Sequence, residues 1–196
     1  KAYYRKLGES LIKKFERRNI DAVYCDTAEE ACKKALELMP SGSSVTWGGS
    51  VTVGEIGLLD AVKSGDYKVI DRMDAGPDDD PRVMMSKQML ADFFLMSTNA
   101  FTLDGQLVNI DGMGTRLCFL IAGPAHVLVI AGMNKLAHDV SSAIQRVHDV
   151  ASPPNCMRLG MKTPCGVTGI CGDCLSEQTI CCQEVVTRYS RVPHRI

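Results

Sequence analysis

The chain has 196 residues, nine of them cysteine, and its 22 Lys plus Arg nearly balance 23 Asp plus Glu, for a formal net charge of −1. That length buries the core of one ordinary domain without staples, and the balanced charge excludes a general attraction to nucleic acid or anionic membrane. Apolar runs such as "AHVLVIAG" fall far short of a bilayer span, and the charged amphipathic start "KAYYRKLGESLIKKFERRN" lacks the apolar centre of a signal peptide, so a cytoplasmic protein is expected.

Tyr4, Leu7, Leu11, Ile12 and Phe15 recur at helical spacing, and "IDAVYC" (Ile20 to Cys25) reads as a strand. "TAEEACKKALELMP" opens with a capping box at Thr27 and Glu30 and stops at Pro40, predicting a second helix. The alternation continues with "SSVTW" as strand, "TVGEIGLLDAVKSG" as helix capped by Thr52 with Glu55, and "YKVID" as strand. "PRVMMSKQMLA" then reads as a helix with Pro81 at its start, and "DFFLMST" as a strand. In "AFTLDGQLVNIDG", Asp104-Gly105 separates two short strand-like runs, which predicts an inserted hairpin. "TRLCFLIAG" follows as a buried helix, "AHVLVIAG" as a fully buried strand, and "AHDVSSAIQRVHDVAS" as an amphipathic helix ended by Pro153-Pro154.

Repeated strand–helix alternation implies an α/β fold, a Rossmann-like mainly parallel sheet with helices on both faces. Residues 1–152 form this core in the reading, and residues 153–196 a cysteine-rich segment packed on the same domain.

That segment carries the strongest chemical signal. Cys165, Cys171, Cys174 and Cys181 are spaced C-x5-C-x2-C-x6-C, with Cys182 adjacent and Cys156 upstream. The x2 pair can converge on one centre through a tight turn. Ordering each residue here costs about 1 to 2 kcal/mol, more in sum than Val167, Ile170, Leu175 and Ile180 return at about 1.5 to 3 kcal/mol each. A bound inorganic group would close the gap; disulfides suit a reducing compartment poorly. An iron–sulfur cluster, taken as 4Fe–4S, is the first expectation, with zinc and free thiols as alternatives. Cys25, Cys32 and Cys118 read as small buried hydrophobes, and His126, His138, His148 and His194 show no metal-ligand spacing and read as surface or loop residues.

A second signal comes from the loops after strands. Gly48, Gly49 and Ser50 can point backbone amides at a phosphate or carboxylate, helped by the following helix end. "STNA" and "AGMNK" emerge at the same carboxyl edge of a parallel sheet, where ligands bind, and bring Asn99, Asn134 and Lys135. "VNIDGMGTR" adds Asn109, Asp111 and Arg116. In a catalytic reading Asp104 or Asp111 is the general base, Gly49 and Ser50 the anion cradle, and Lys135 or Arg116 the charge stabiliser.

At "STNAFTLDGQLVNIDGMGTR", "VLVIAGMNK" and "TPCGVTGICGDC" the chain closely resembles the LUD-domain family, the lactate utilisation protein C-like proteins, in its branch with a cysteine-rich tail. The resemblance implies an isomerase/CoA-transferase-like fold, shared with glucosamine-phosphate isomerase, ribose-phosphate isomerase and formyltetrahydrofolate cyclo-ligase. Anionic ligands bind those relatives at strand-end loops. It also implies oxidation of lactate or a related organic acid beside iron–sulfur oxidoreductase partners, and a further strand past "RVPHRI". Three functions follow as expectations: an iron–sulfur redox component; an isomerase- or transferase-like enzyme on a small phosphorylated or carboxylated metabolite, with a structural metal centre; and a non-catalytic assembly subunit of an oxidoreductase complex. The expected partners are a small anionic metabolite and iron–sulfur proteins, with homo-oligomerisation left open.

Overall fold

The computed structural model describes residues 2–196. In chain order, α1 (Ala2–Glu16) and α2 (Ala28–Leu38) precede β1 (Ser44–Trp47), α3 (Val51–Glu55), α4 (Leu58–Ser64) and β2 (Lys68–Val69). Then come α5 (Pro81–Met89), β3 (Phe93–Met96), the β4 (Ala100–Thr102) and β5 (Leu107–Asp111) hairpin, α6 (Thr115–Ala122) and β6 (His126–Val129). β7 (Leu136–Ala137), α7 (Val140–Arg146), α8 (Ser152–Arg158), α9 (Pro164–Thr168) and β8 (Gln183–Thr187) complete the chain.

The alternation predicted from the sequence becomes a four-stranded, all-parallel sheet in the order β2-β1-β3-β6. β3 is buried along its whole length because the period-two pleat sends Phe93 and Leu95 to one face and Phe94 and Met96 to the other. Phe93 and Leu95 pack with Val45, Val53, Leu58 and Val62. Phe94 and Met96 pack with Leu117, Phe119, Leu120 and Val127. Helices cover both faces, as an α/β Rossmann-like sheet requires.

The inserted hairpin seeds a second sheet, β7-β4-β5-β8, parallel at β4–β7 and antiparallel at β4–β5 and β5–β8. Ala100, Val108 and Ile110 pack there against Ala143 and Val147. β8 follows the cysteine segment and pairs with all five residues of β5, so residues 183–187 belong to the sheet that residues 100–111 begin.

Several local expectations are corrected. Ile20–Cys25 makes no strand: Asp21 N–H donates to Ile196 O (2.9 Å), and among the described residues the stretch joins neither sheet. The helix predicted through "TVGEIGLLDAVKSG" breaks at Gly57, whose φ of 76° suits glycine, and Ser50 rather than Thr52 is its cap, accepting from Val53 N–H (3.3 Å). β6 is only partly buried because it is an edge strand of the parallel sheet. Pro153-Pro154 starts α8 instead of ending α7; the chain bridges the two with a π-turn over Val147–Ala151, and proline is tolerated in a first turn where its missing N–H has no partner to lose.

Candidate functional site

A chain that runs β1 to β2 on one side and then crosses to β3 on the other reverses direction between β1 and β3. In open α/β sheets the crevice outside the carboxyl ends of two such strands is where ligands bind. Gly48 leaves β1 there and Ser97 leaves β3, and the Gly48 N–H still donates to Leu95 O (3.1 Å), so the two loops start side by side.

Arg116, from the first turn of α6, fills the space between them. Its guanidinium donates to Ser97 O (3.2 Å), Asn109 Oδ1 (3.0 Å), Asn99 Oδ1 (2.8 Å) and Ile110 O (2.7 Å), and its Nε lies 3.4 Å from Asp111 Oδ2. Burial holds its pKa below the usual arginine value, opposed by Asp111. Asn99 and Asn109 interlock: Asn99 N–H donates to Asn109 Oδ1 (3.2 Å) and Ile110 N–H to Asn99 Oδ1 (3.0 Å). Because Asn109 Oδ1 accepts twice, its amide orientation is determined, and its buried Nδ2 is left without a partner. β5 therefore holds a buried, unmatched donor.

Lys135, on the turn after β6, donates to Ser97 Oγ (2.6 Å) and reaches Thr52 Oγ1 (3.4 Å). Burial first, then the nearby charges of Arg146 and Arg116, push its pKa down to about 8, with Glu55 opposing. Arg146 ties the same loops by donating to Asn99 O (2.8 Å) and Asn134 O (3.2 Å). Three cations thus gather where few carboxylates answer them, which favours an anionic guest.

Beside Gly48, a recess of about 290 Å³ is lined by Gly48, Gly49, Ser50, Arg72, Lys63 and Arg158, among others. A Cβ at Gly48 would stand 3.4 Å from Phe94 Cζ and 3.7 Å from Arg116 Cδ, and one at Gly49 would stand 3.4 Å from Arg72 Nη2. α3 has only five residues, so its end contributes little field; of the cations around the recess Lys63 is paired with Asp71 (3.1 Å), which leaves Arg72 and Arg158 as its positive charges.

Of the residues predicted to meet at the strand ends, the fold brings together Gly48, Gly49, Ser50, Asn99, Asn109, Asp111, Arg116 and Lys135; Asn134 joins through its backbone carbonyl, its side chain being exposed. It does not bring Asp104. That residue lies in the β4–β5 turn, a full strand length from Asp111, where it pairs with Arg18 (2.6 Å) and accepts from Thr102 Oγ1 and Gln106 Nε2. Asp111 is engaged too, accepting from Gly114 N–H (2.8 Å) and facing Arg116. Arg72, Arg146, Arg158 and Lys63 escaped the sequence reading, because no pattern in the sequence marks which of the many cations come to lie beside the strand ends.

The cysteine segment abuts this cleft. Cys182 N–H donates to Asp111 O (3.1 Å), and Gly112 packs against Ile180, whose Cα lies 3.3 Å from where a Cβ would stand. Burial raises the pKa of Cys181, opposed by its hydrogen bond to Ser152, and the thiols of Cys171, Cys165 and Cys174 are near enough to add to the rise. Cys156 is buried, and burial raises its pKa with Cys165 and Cys181 close enough to add to the rise, whereas Cys182 is exposed. Among the described residues no three His, Cys, Asp or Glu side chains converge closely enough to hold one metal ion. The donor set fits a thiophilic group in kind and number.

Of the four aliphatics expected to help bury this segment, Ile180 is partly buried and the other three are not. Val167 is 75% exposed, Ile170 73% and Leu175 98%. Thr163 caps α9 through Gly166 N–H (3.1 Å), and Gly169 ends it. His148 departs from the surface reading: on the π-turn, its Nδ1 lies 3.5 Å from Cys171 Sγ and its Nε2 3.0 Å from Glu184 Oε1. The π-turn that aims it has no sequence signature beyond the following prolines.

A model of the LUD domain matches residues 8–196, and the chain belongs to the LUD-domain family. No curated protein and no solved structure matches it.

Proposed function

We propose that the protein is an iron–sulfur redox component in the oxidation of lactate or a related small organic acid. The observation that carries this reading is the junction of the two sites: the cysteine locus is hydrogen-bonded to Asp111, whose side chain faces the arginine at the heart of the cleft. Cys165, Cys171, Cys174 and Cys181 would hold the cluster, with Cys156 in reserve. When bound, the cluster accepts and passes on one electron at a time. Lys135 and Arg146, with the Asn109 amide, hold the carboxylate of the acid; Asp111 keeps Arg116 oriented. The exposed Val167, Ile170 and Leu175 around the locus offer an apolar face to an oxidoreductase partner that takes the electrons away.

Anaerobic purification with iron and sulfide analysis, followed by electron paramagnetic resonance of the reduced protein, tests this. A reduced-cluster signal that shifts on adding lactate or another 2-hydroxy acid is expected, and Cys171→Ser with Cys174→Ser bleaches the protein. A colourless protein holding zinc and no sulfide refutes it. That outcome favours the second reading, an isomerase- or transferase-like enzyme with a structural metal centre. The observation behind the second reading is Lys135, a buried amine held near neutrality in a polar cleft; thermal-shift screening of sugar phosphates and CoA esters tests it directly.

A further inference from the structure

On the opposite end of the hairpin from the cleft, the end of α1, the β4–β5 turn and the end of β8 enclose a groove of about 570 Å³ lined by Lys14, Arg17, Arg18, Asp104, Arg188 and Tyr189. Arg18 forms its floor. The guanidinium donates to Asp104 O (2.7 Å), Asp104 Oδ2 (2.6 Å) and Arg188 O (2.8 Å), so the one carboxylate in the groove is already neutralised. Lys14, Arg17 and Arg188 have no acidic partner among the described residues. A chain of net charge −1 therefore concentrates three unpaired cations in one hollow.

The hollow is built rather than incidental. Gly105 has a φ of 86° and brings the turn so close that a Cβ would lie 2.8 Å from the Lys14 carbonyl carbon. Asn19 Nδ2 donates to Ser190 O (2.7 Å) and Ser190 N–H to Arg18 O (2.9 Å), pinning the far wall. Lys14 alone could be explained as a complement to the negative end of α1. That explanation does not reach Arg188, which arrives from β8. Tyr189 lines the groove and is 60% exposed, so an aromatic side chain is open to solvent beside the cations.

We propose that this groove binds a nucleoside diphosphate, with Arg17, Arg188 and Lys14 on the diphosphate and Tyr189 against the base. Two arginines and a lysine match the about three negative charges of such a group, and an aromatic ring stacks on any base without reading its edge. The volume exceeds what inorganic phosphate fills.

Isothermal titration calorimetry at low salt with ADP, pyrophosphate and adenosine tests the assignment. ADP binds most tightly and weakens as salt rises. Arg17→Ala with Arg188→Ala, both exposed positions, weakens ADP and pyrophosphate by about tenfold or more. Tyr189→Leu weakens ADP alone, and Lys135→Met in the distant cleft leaves ADP binding as it was. The proposal is overturned if ADP at about 1 mM does not bind, or if affinity is lost in Lys135→Met but kept in the arginine pair. Pyrophosphate binding as tight as ADP, indifferent to Tyr189→Leu, removes the nucleoside and overturns it as well.

Discussion

Replacing Arg116 by methionine is the sharpest test of how the cleft is held. The guanidinium satisfies four acceptors on two separate segments, Ser97 O and Asn99 Oδ1 on the loop after β3 and Asn109 Oδ1 and Ile110 O on β5, and faces Asp111, whose side chain is only 14% exposed. Methionine keeps the aliphatic stem and returns none of those donors. Removing one partner of a buried pair costs about 3 to 5 kcal/mol, because the remaining charge stays desolvated, and the orphaned acceptors keep the loss near the top of that range. For a chain of this size that lowers the melting temperature by about 6 to 20 °C. Urea unfolding with an unchanged slope and a lower midpoint is the readout. Arg116→Lys should rescue little, since an ammonium cannot fork across both asparagines. A methionine variant within about 1 kcal/mol of the parent would mean that the guanidinium is solvated and that the loops stand without it.

Lys135 supplies a pH prediction with a definite sign. Its folded pKa of about 8 lies below the ordinary 10.5, so between those values the unfolded chain binds the proton more tightly and stability rises with pH across that window. Anion affinity in the cleft moves the other way and falls above about pH 8; titration of a small carboxylate at several pH values checks it, and a flat profile would contradict the assignment. Ser50→Ala should lower stability by about 0.5 to 2 kcal/mol through the lost cap, measured by urea midpoint, whereas a larger loss in Thr52→Ala would restore the cap to the position the sequence suggested. Gly105→Ala should destabilise by about 1 to 3 kcal/mol, from left-handed strain and the close approach of Lys14, and a parental midpoint would show that the turn can retreat.

Strand and helix positions in the parallel sheet were legible because period two and period 3.6 leave different marks: "DFFLM" buries both faces, and "TAEEACKKALEL" carries its cap and its stop. "IDAVYC" has the same β-branched character and fails as a strand, since composition records propensity and says nothing of whether a neighbour exists to pair with. The proline pair at 153–154 misled for a related reason. Proline forbids a helix interior and permits a first turn, and only the geometry of the preceding π-turn decides which is met. At the site, the glycines and amides of the loops were readable from their place after strands. The arginines beside the strand ends were not, and Asp104 shared its Asp-Gly signature with Asp111 while sitting at the other end of the hairpin.

The pairing of β8 with β5 gives synthesis an order. The thiols of Cys165 to Cys181 leave the ribosome before residues 183–187, so the nascent protein carries its cysteine segment while one margin of the second sheet is still bare. Only when those five residues arrive does β5 gain its outer neighbour and the segment between them become a closed loop.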